Sequence, residues 1–292
     1  MNFNELYSQS TIDCENEKIF VDFITENYDT KNDIDMEKKI FHTLRVTKNC
    51  KYLAEKLNIN TDLCIDIGLL HDFARFEQKK LYGSFVDYLT KDHGDMAIEM
   101  LFEQNYIDIF KIPNNFKPAI YYAIKYHNKL KIDYDLIKNE VETGKIFDIL
   151  KISKFDVNLN EIYTCCKIAR DGDKIDLLNK IIVGDMNIRY TQNGFSPKCL
   201  NSLNDMKLVL IPDINTKLDR IFCFIGFVFD LYFAESFDLF NLDTFLNSLL
   251  INYKDILVNT DYDFLKLQIA KSKKHIISKY NLDIKNKKDI VK

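Results

Sequence analysis

The chain has 292 residues, 47% of them hydrophobic, with only eight Gly and four Pro, so it can bury a large core with few breaks, and helices joined by short loops are favoured. A net charge of −4 argues against a protein that coats nucleic acid, because phosphate contacts need clustered Lys and Arg. Seven cysteines show no Cys-x-x-Cys spacing, which excludes the disulfide framework of a small secreted fold.

The first five residues lack a basic stretch followed by an apolar core, so no secretory signal is expected, and a reducing cytoplasm suits both this and the cysteines. Over residues 35–57, His42, Val46, Cys50, Leu53 and Leu57 keep to one side of a 3.6-residue period. His42 therefore points into the core. The next helix is expected to start at Thr61 as its cap and to run Ile67, Leu70, His71 and Ala74 along its inner face. His71 points inward, with Asp72 about 100° round the helix from it.

His93 leads Ala97, Met100 and Leu101 at helical spacing, with Asp92 or Thr90 as the cap. His127 follows Ile120, Ala123 and Ile124 in a segment whose first turn begins at Pro118. Further on, Ile162, Cys166, Ala169, Asp173 and Leu177 form another stripe. Asp171 is rotated from Asp173 by about 200°, which leaves Asp173 aimed at the interior and Asp171 as support or surface.

Residues 183–201, with Gly184, Asn193-Gly194 and Ser196-Pro197, read as an irregular connection, and another turn falls near Ile211-Pro212-Asp213. Leu218, Ile221, Phe222, Ile225, Val228, Phe229, Tyr232 and Phe233 then mark the broad face of one buried helix. Its apolar run from Ile221 stops at Asp230, short of the roughly 20 residues a bilayer needs, so it is a core helix or a dimer interface. Residues 271–292 are Lys-rich and read as a solvated end, and His275 within them receives no role. No Gly-rich phosphate loop, zinc-finger spacing or internal repeat is visible.

Ionisable groups at core positions need partners. A lone core histidine is ordinarily bonded to backbone. Here two His and two Asp from three helices offer imidazole nitrogen and carboxylate oxygen to one borderline divalent cation. Each buried Asp costs several kcal/mol uncompensated, and a cation compensates all four groups together.

The strings His42-Thr43-Leu44-Arg45-Val46, Leu69-Leu70-His71-Asp72-Phe73-Ala74-Arg75 and Ala169-Arg170-Asp171-Gly172-Asp173-Lys174-Ile175-Asp176 together resemble the HD-domain superfamily of metal-dependent phosphohydrolases. The resemblance implies an all-α HD-domain helical bundle with additional N- and C-terminal helices. An HD-type domain with an N-terminal helix would cover residues 1–180, and a helical extension packed on it residues 181–292, the whole also being readable as one compact domain. It implies His42, His71, Asp72 and Asp173 as metal ligands, the last because it precedes the basic residue of Gly172-Asp173-Lys174. In binuclear members similar histidines bind a second ion, so His93 and His127 would hold it while Asp72 bridges both.

One or two divalent ions (Mn, Fe, Co, Ni, Zn or Mg) are thus the expected cofactor, and metal-activated water cleaving a phosphate ester or anhydride is the expected reaction. Asp72, Arg75 and Lys174 are the expected catalytic residues. Arg45, Arg75 and Asn128 are expected to bind substrate, Arg75 as the phosphate clamp through paired guanidinium bonds. Arg45 and Lys174 could equally orient the metal carboxylates.

Hydrolases of cyclic dinucleotides in this superfamily carry a Gly-Tyr-Pro string after their paired histidines, whereas His127 is followed by Asn128-Lys129-Leu130-Lys131. A nucleotide or other small phosphorylated metabolite is therefore the expected substrate. No membrane or nucleic-acid partner is expected, a homodimer is the further assembly to look for, and the cytoplasm is the expected compartment. Two other readings stay open: a catalytically inactive HD-fold regulatory or scaffold protein, and a single-strand nuclease, which would need a positive groove leading to the metals.

Overall fold

Scarce Gly and Pro translate into helix after helix: in the computed structural model of the protein, which describes residues 11–282, no strand occurs among the described residues. The all-α expectation holds. The first and last residues, including the N-terminal stretch read for a signal and the end of the Lys-rich tail, lie outside the described residues. The chain divides into two compact units, one ending at Asp173 and one starting at Lys174.

In the first unit, α1 (Glu15–Asn27) precedes α2 (Ile34–Leu57), which Asp33 caps by accepting from the backbone N–H groups of Asp35 and Met36. Asn58 closes α2 in the left-handed region at φ 53°, a conformation that asparagine tolerates better than most residues. Helix α3 (Thr61–Leu70) is capped by Asn60, whose side chain accepts from the Leu63 N–H at 3.1 Å, so Thr61 is the first helical residue and not the cap. The helix also ends earlier than its apolar stripe suggests. Phe73 N–H donates to Leu70 O at 3.1 Å and Arg75 N–H to Asp72 O at 3.0 Å, and these short-range bonds tighten residues 71–74 into a corner.

After the corner come α4 (Arg75–Tyr82), a 3₁₀ turn (Asp87–Leu89), α5 (His93–Ile98), α6 (Lys117–Tyr126), α7 (Tyr134–Glu142) and α8 (Lys145–Leu150). Asp92 caps α5 by accepting from Asp95 N–H at 3.0 Å. Helix α9 (Leu159–Ile182) carries the chain out of the first unit.

Two glycines set how closely these helices lie. A Cβ on Gly68 of α3 would sit 2.7 Å from Thr47 Cα of α2, and one on Gly172 of α9 would sit 2.6 Å from Cys50 Sγ. Only hydrogen fits at either place, and α2 is consequently flanked at short range by the two helices whose ends or faces carry His71, Asp72 and Asp173.

In the second unit, α10 (Pro197–Asn204) begins inside the stretch expected to be irregular, because Pro197 takes the first helical position where its missing N–H is no loss. A 3₁₀ turn (Ile211–Asp213) falls where the proline turn was read. Helix α11 (Lys217–Phe229) opens on a Thr216–Asp219 capping box, and it ends at Phe229, so Tyr232 and Phe233 lie beyond the face assigned to them. Helices α12 (Leu242–Asn252) and α13 (Asn259–Tyr280) complete the unit. Among the described residues no helix is long and apolar enough to cross a membrane.

Candidate metal centre

Four of the six expected ligands arrive from helix ends or the corner beside them, and two from the middle of long helices. His42 stands in the middle register of α2, His71 caps the C-terminus of α3, Asp72 follows in the corner, His93 opens α5, His127 caps the C-terminus of α6, and Asp173 belongs to α9. His42, His71, Asp72, His93 and His127 are buried. The Asp173 side chain keeps 27% exposure, which opens the cluster on that side.

The structure brings all six together. His42 Nε2 lies 3.3 Å from both Asp72 Oδ2 and Asp173 Oδ1, and His71 Nε2 lies 3.2 Å from Asp72 Oδ2. On the other side, His93 Nε2 and His127 Nε2 lie 3.2 and 3.6 Å from Asp72 Oδ1 and 2.8 Å from each other. Asp72 thus turns one oxygen to each histidine pair. His42, His71 and Asp173 form one potential ligand triad, and Asp72, His93 and His127 form another.

The second ring nitrogens explain the orientation. His71 Nδ1 lies 2.7 Å from Gly68 O, His127 Nδ1 2.6 Å from Ile124 O, and His93 Nδ1 2.9 and 2.8 Å from the two oxygens of Asp87. All these partners are acceptors only, so each Nδ1 carries a proton, and the neutral form of each ring presents its lone pair at Nε2. The buried Nε2 atom of His71 and Oδ1 of Asp72 have no hydrogen-bond partner. Buried lone pairs converging with carboxylate oxygens are unfavourable by themselves and suit a shared cation. Donor separations near 3.3 Å also fit metal bonds of about 2.0–2.2 Å.

The charges respond accordingly. Burial opposes ionisation of Asp72, but the Lys39 ammonium and the neighbouring His71, His127 and His42 outweigh it and hold the carboxyl well below the usual range. Asp173 is held low in the same way, burial being outweighed by the bond and charge of His42. Burial pushes His127 down to about 4, against the pull of Asp72. His127 is therefore neutral at pH 7 and available as a donor.

Two of the other expected residues, Arg75 and Asn128, border the cluster, and Arg45 and Lys174 make other contacts. Arg75 Nη1 donates to Gln78 Oε1 at 2.8 Å, Phe85 O at 2.6 Å and Asp87 Oδ1 at 2.9 Å, while Nε lies 3.4 Å from Asp72 Oδ1. Asn128 Nδ2 donates to Asp92 Oδ2 at 3.0 Å beside His93. Arg45 is buried on α2, and Lys174 pairs with Asp230 at 2.9 Å. Asp171 is fully buried, not surface, because the stretch around it on α9 is enclosed on several sides: Arg170 and Asp176 are buried as well.

Three polar residues escaped the sequence reading. Lys39 contacts Asp72 Oδ2 directly. It stands three residues before His42, so the same helical period that found the histidine could have found it. Asp87 and the fully buried Gln78 tie down His93 and the turn after α4, and Asp87 lies in a 3₁₀ turn where no periodicity signals a role.

A family model described as HD domain matches residues 40–178. Neither a curated protein nor a solved structure matches the chain.

Proposed function

We propose, from the match of residues 40–178 to the HD domain model, that the protein is a metal-dependent phosphohydrolase that cleaves a phosphate ester or anhydride of a small metabolite, a nucleotide being the preferred class. The observation that carries this reading is the opposed pairing at Asp72, with Oδ2 facing His42 and His71 and Oδ1 facing His93 and His127. His42, His71 and Asp173 would hold one divalent ion, His93 and His127 a second, and Asp72 both. Bound there, the ions would supply Lewis acidity towards a phosphoryl oxygen and a lowered pKa for water.

The chain's own groups prepare that chemistry. Gly68 O, Ile124 O and Asp87 keep the proton on Nδ1, so Nε2 stays the donor in three rings. Lys39, with its side chain 18% exposed at the edge of Asp72, places a positive charge where a phosphate oxygen can meet it. The part-exposed Asp173 marks the side from which substrate and water enter. Lys174, engaged with Asp230, and the buried Arg45 support the surrounding structure in this reading and do not touch substrate. The absence of Gly-Tyr-Pro after His127 supports a nucleotide or phosphomonoester over a cyclic dinucleotide.

The test is metal content of the purified chain by elemental mass spectrometry, followed by phosphate release from a panel of nucleotides and phosphomonoesters with Mn, Fe, Co, Ni, Zn and Mg. About two ions per chain and metal-dependent release are expected. Metal without turnover on every substrate and cation would move the protein to the regulatory class.

A further inference from the structure

Asp87 sits on the 3₁₀ turn between α4 and α5 and reaches the centre from outside it. Both of its oxygens meet His93 Nδ1, at 2.9 and 2.8 Å, and Oδ1 also accepts from Arg75 Nη1 and Gln78 Nε2, each at 2.9 Å. Arg75 then returns to the centre, with Nε 3.4 Å from Asp72 Oδ1, the oxygen that His93 Nε2 faces at 3.2 Å. Asp72, Arg75, Asp87 and His93 close a ring. Gln78 fixes the turn against it, donating also to Thr90 Oγ1 at 2.8 Å and Lys91 O at 2.9 Å.

Apart from the shared Asp72, which it meets through Oδ1, the ring touches only one half of the centre. His71 and His127 rest their Nδ1 atoms on neutral backbone carbonyls, whereas His93 rests on a carboxylate. A carboxylate partner fixes the plane of an imidazole and makes its other nitrogen a stronger donor.

We propose that Asp87, braced by Arg75 and Gln78, is a positioning residue for the His93–His127 half of the centre, so that the ion in this half depends on the ring and the ion at His42, His71 and Asp173 does not. Arg75 is then a strut for Asp87 and Asp72, not the phosphate clamp. The inference rests on the two-ion reading above.

The test is calorimetric titration of the metal-stripped full chain with Mn²⁺, with far-ultraviolet circular dichroism on every variant. Asp87→Asn keeps size and one acceptor but removes the charge. Wild type should bind two ions, and Asp87→Asn should bind one with unchanged affinity and the other about 10–100-fold more weakly. Adding Asp87→Asn to His127→Gln should weaken nothing further, because both act on the same ion. Arg75→Gln breaks the ring while leaving Asp87 and every proposed metal donor unsubstituted and should weaken that same ion, which keeps the question answerable if Asp87→Asn does not fold.

If Asp87→Asn or a folded Arg75→Gln binds both ions as wild type does, or loses both equally, the inference is overturned while the two-ion reading stands. A wild-type chain that binds fewer than two ions overturns both.

Discussion

Nε2 of His93 and Nε2 of His127 lie 2.8 Å apart, and in the neutral rings neither has a proton to offer the other, because Asp87 and Ile124 O hold both protons on Nδ1. Facing lone pairs at that distance repel unless a cation lies within reach of both, and Asp72 Oδ1 adds a third donor at 3.2 and 3.6 Å. Metal should therefore stabilise the fold. An ion at 100 times its Kd adds about 2.7 kcal/mol per site, enough to raise Tm by several degrees. Thermal melts of chelator-stripped and metal-loaded protein check this, and identical melts with every cation would refute a metal centre.

In the proposed reading Asp72 is the shared carboxylate, so Asp72→Ala should abolish metal-dependent phosphate release while leaving a folded helical protein. Turnover and far-ultraviolet circular dichroism on one sample decide it. Wild-type turnover in the variant would place the chemistry elsewhere.

Asp173 and Asp171 differ by two residues and should fail in different ways. Asp173 faces His42 at 3.3 Å with its side chain part exposed, whereas Asp171 is fully buried. Asp173→Ala should lower metal content with a small change in Tm, and Asp171→Ala should lower Tm by removing one side of a buried polar contact, a loss of about 1–3 kcal/mol. Elemental analysis and melting curves of both variants separate the roles, and equal loss of metal in both would contradict the assignment.

A third carboxyl predicts a pH signature away from the metals. Asp66 on α3 is raised to about 6, chiefly by burial, with Asp62 adding and the Asn16 bond at 2.7 Å opposing. Its folded pKa lies above the usual 3.8, so the folded state holds the proton more tightly, and that contribution is complete below about pH 4 and lost as pH rises through 6. Asp66→Asn cannot ionise and keeps an oxygen for Asn16. It should exceed wild type in stability by up to about 3 kcal/mol at pH 8, with the gap closing towards pH 4. A gap independent of pH in denaturant titrations would show that Asp66 does not titrate there.

The sequence made the six clustered residues legible and concealed what braces them, for identifiable reasons. His42 and Asp173 were found because each lies in a long helix whose 3.6-residue stripe is unbroken. His71 and His127 were found for a reason that proved incomplete, since the stripe ran on through them while both helices end there. The assignment of Asp171 to a polar face presumed that α9 has one, and the burial of Arg170, Asp171 and Asp176 shows a segment enclosed on several sides. Asp87 could not be read at all. Its importance comes from a fold that sets a short turn against His93 and Arg75, and a local period carries no trace of that meeting.

Helices α3 and α6 stop on His71 and His127, so their carbonyl ends arrive at the place where Asp72 and Asp173 also lie. Each such end behaves as roughly half a negative charge. A phosphate approaching first meets a field of its own sign, and a divalent cation approaching first reverses that field. In the proposed two-ion reading, the direction in which two helices run would set a sequence of arrivals, cation before anion, and affinity for substrate would be acquired from the metal.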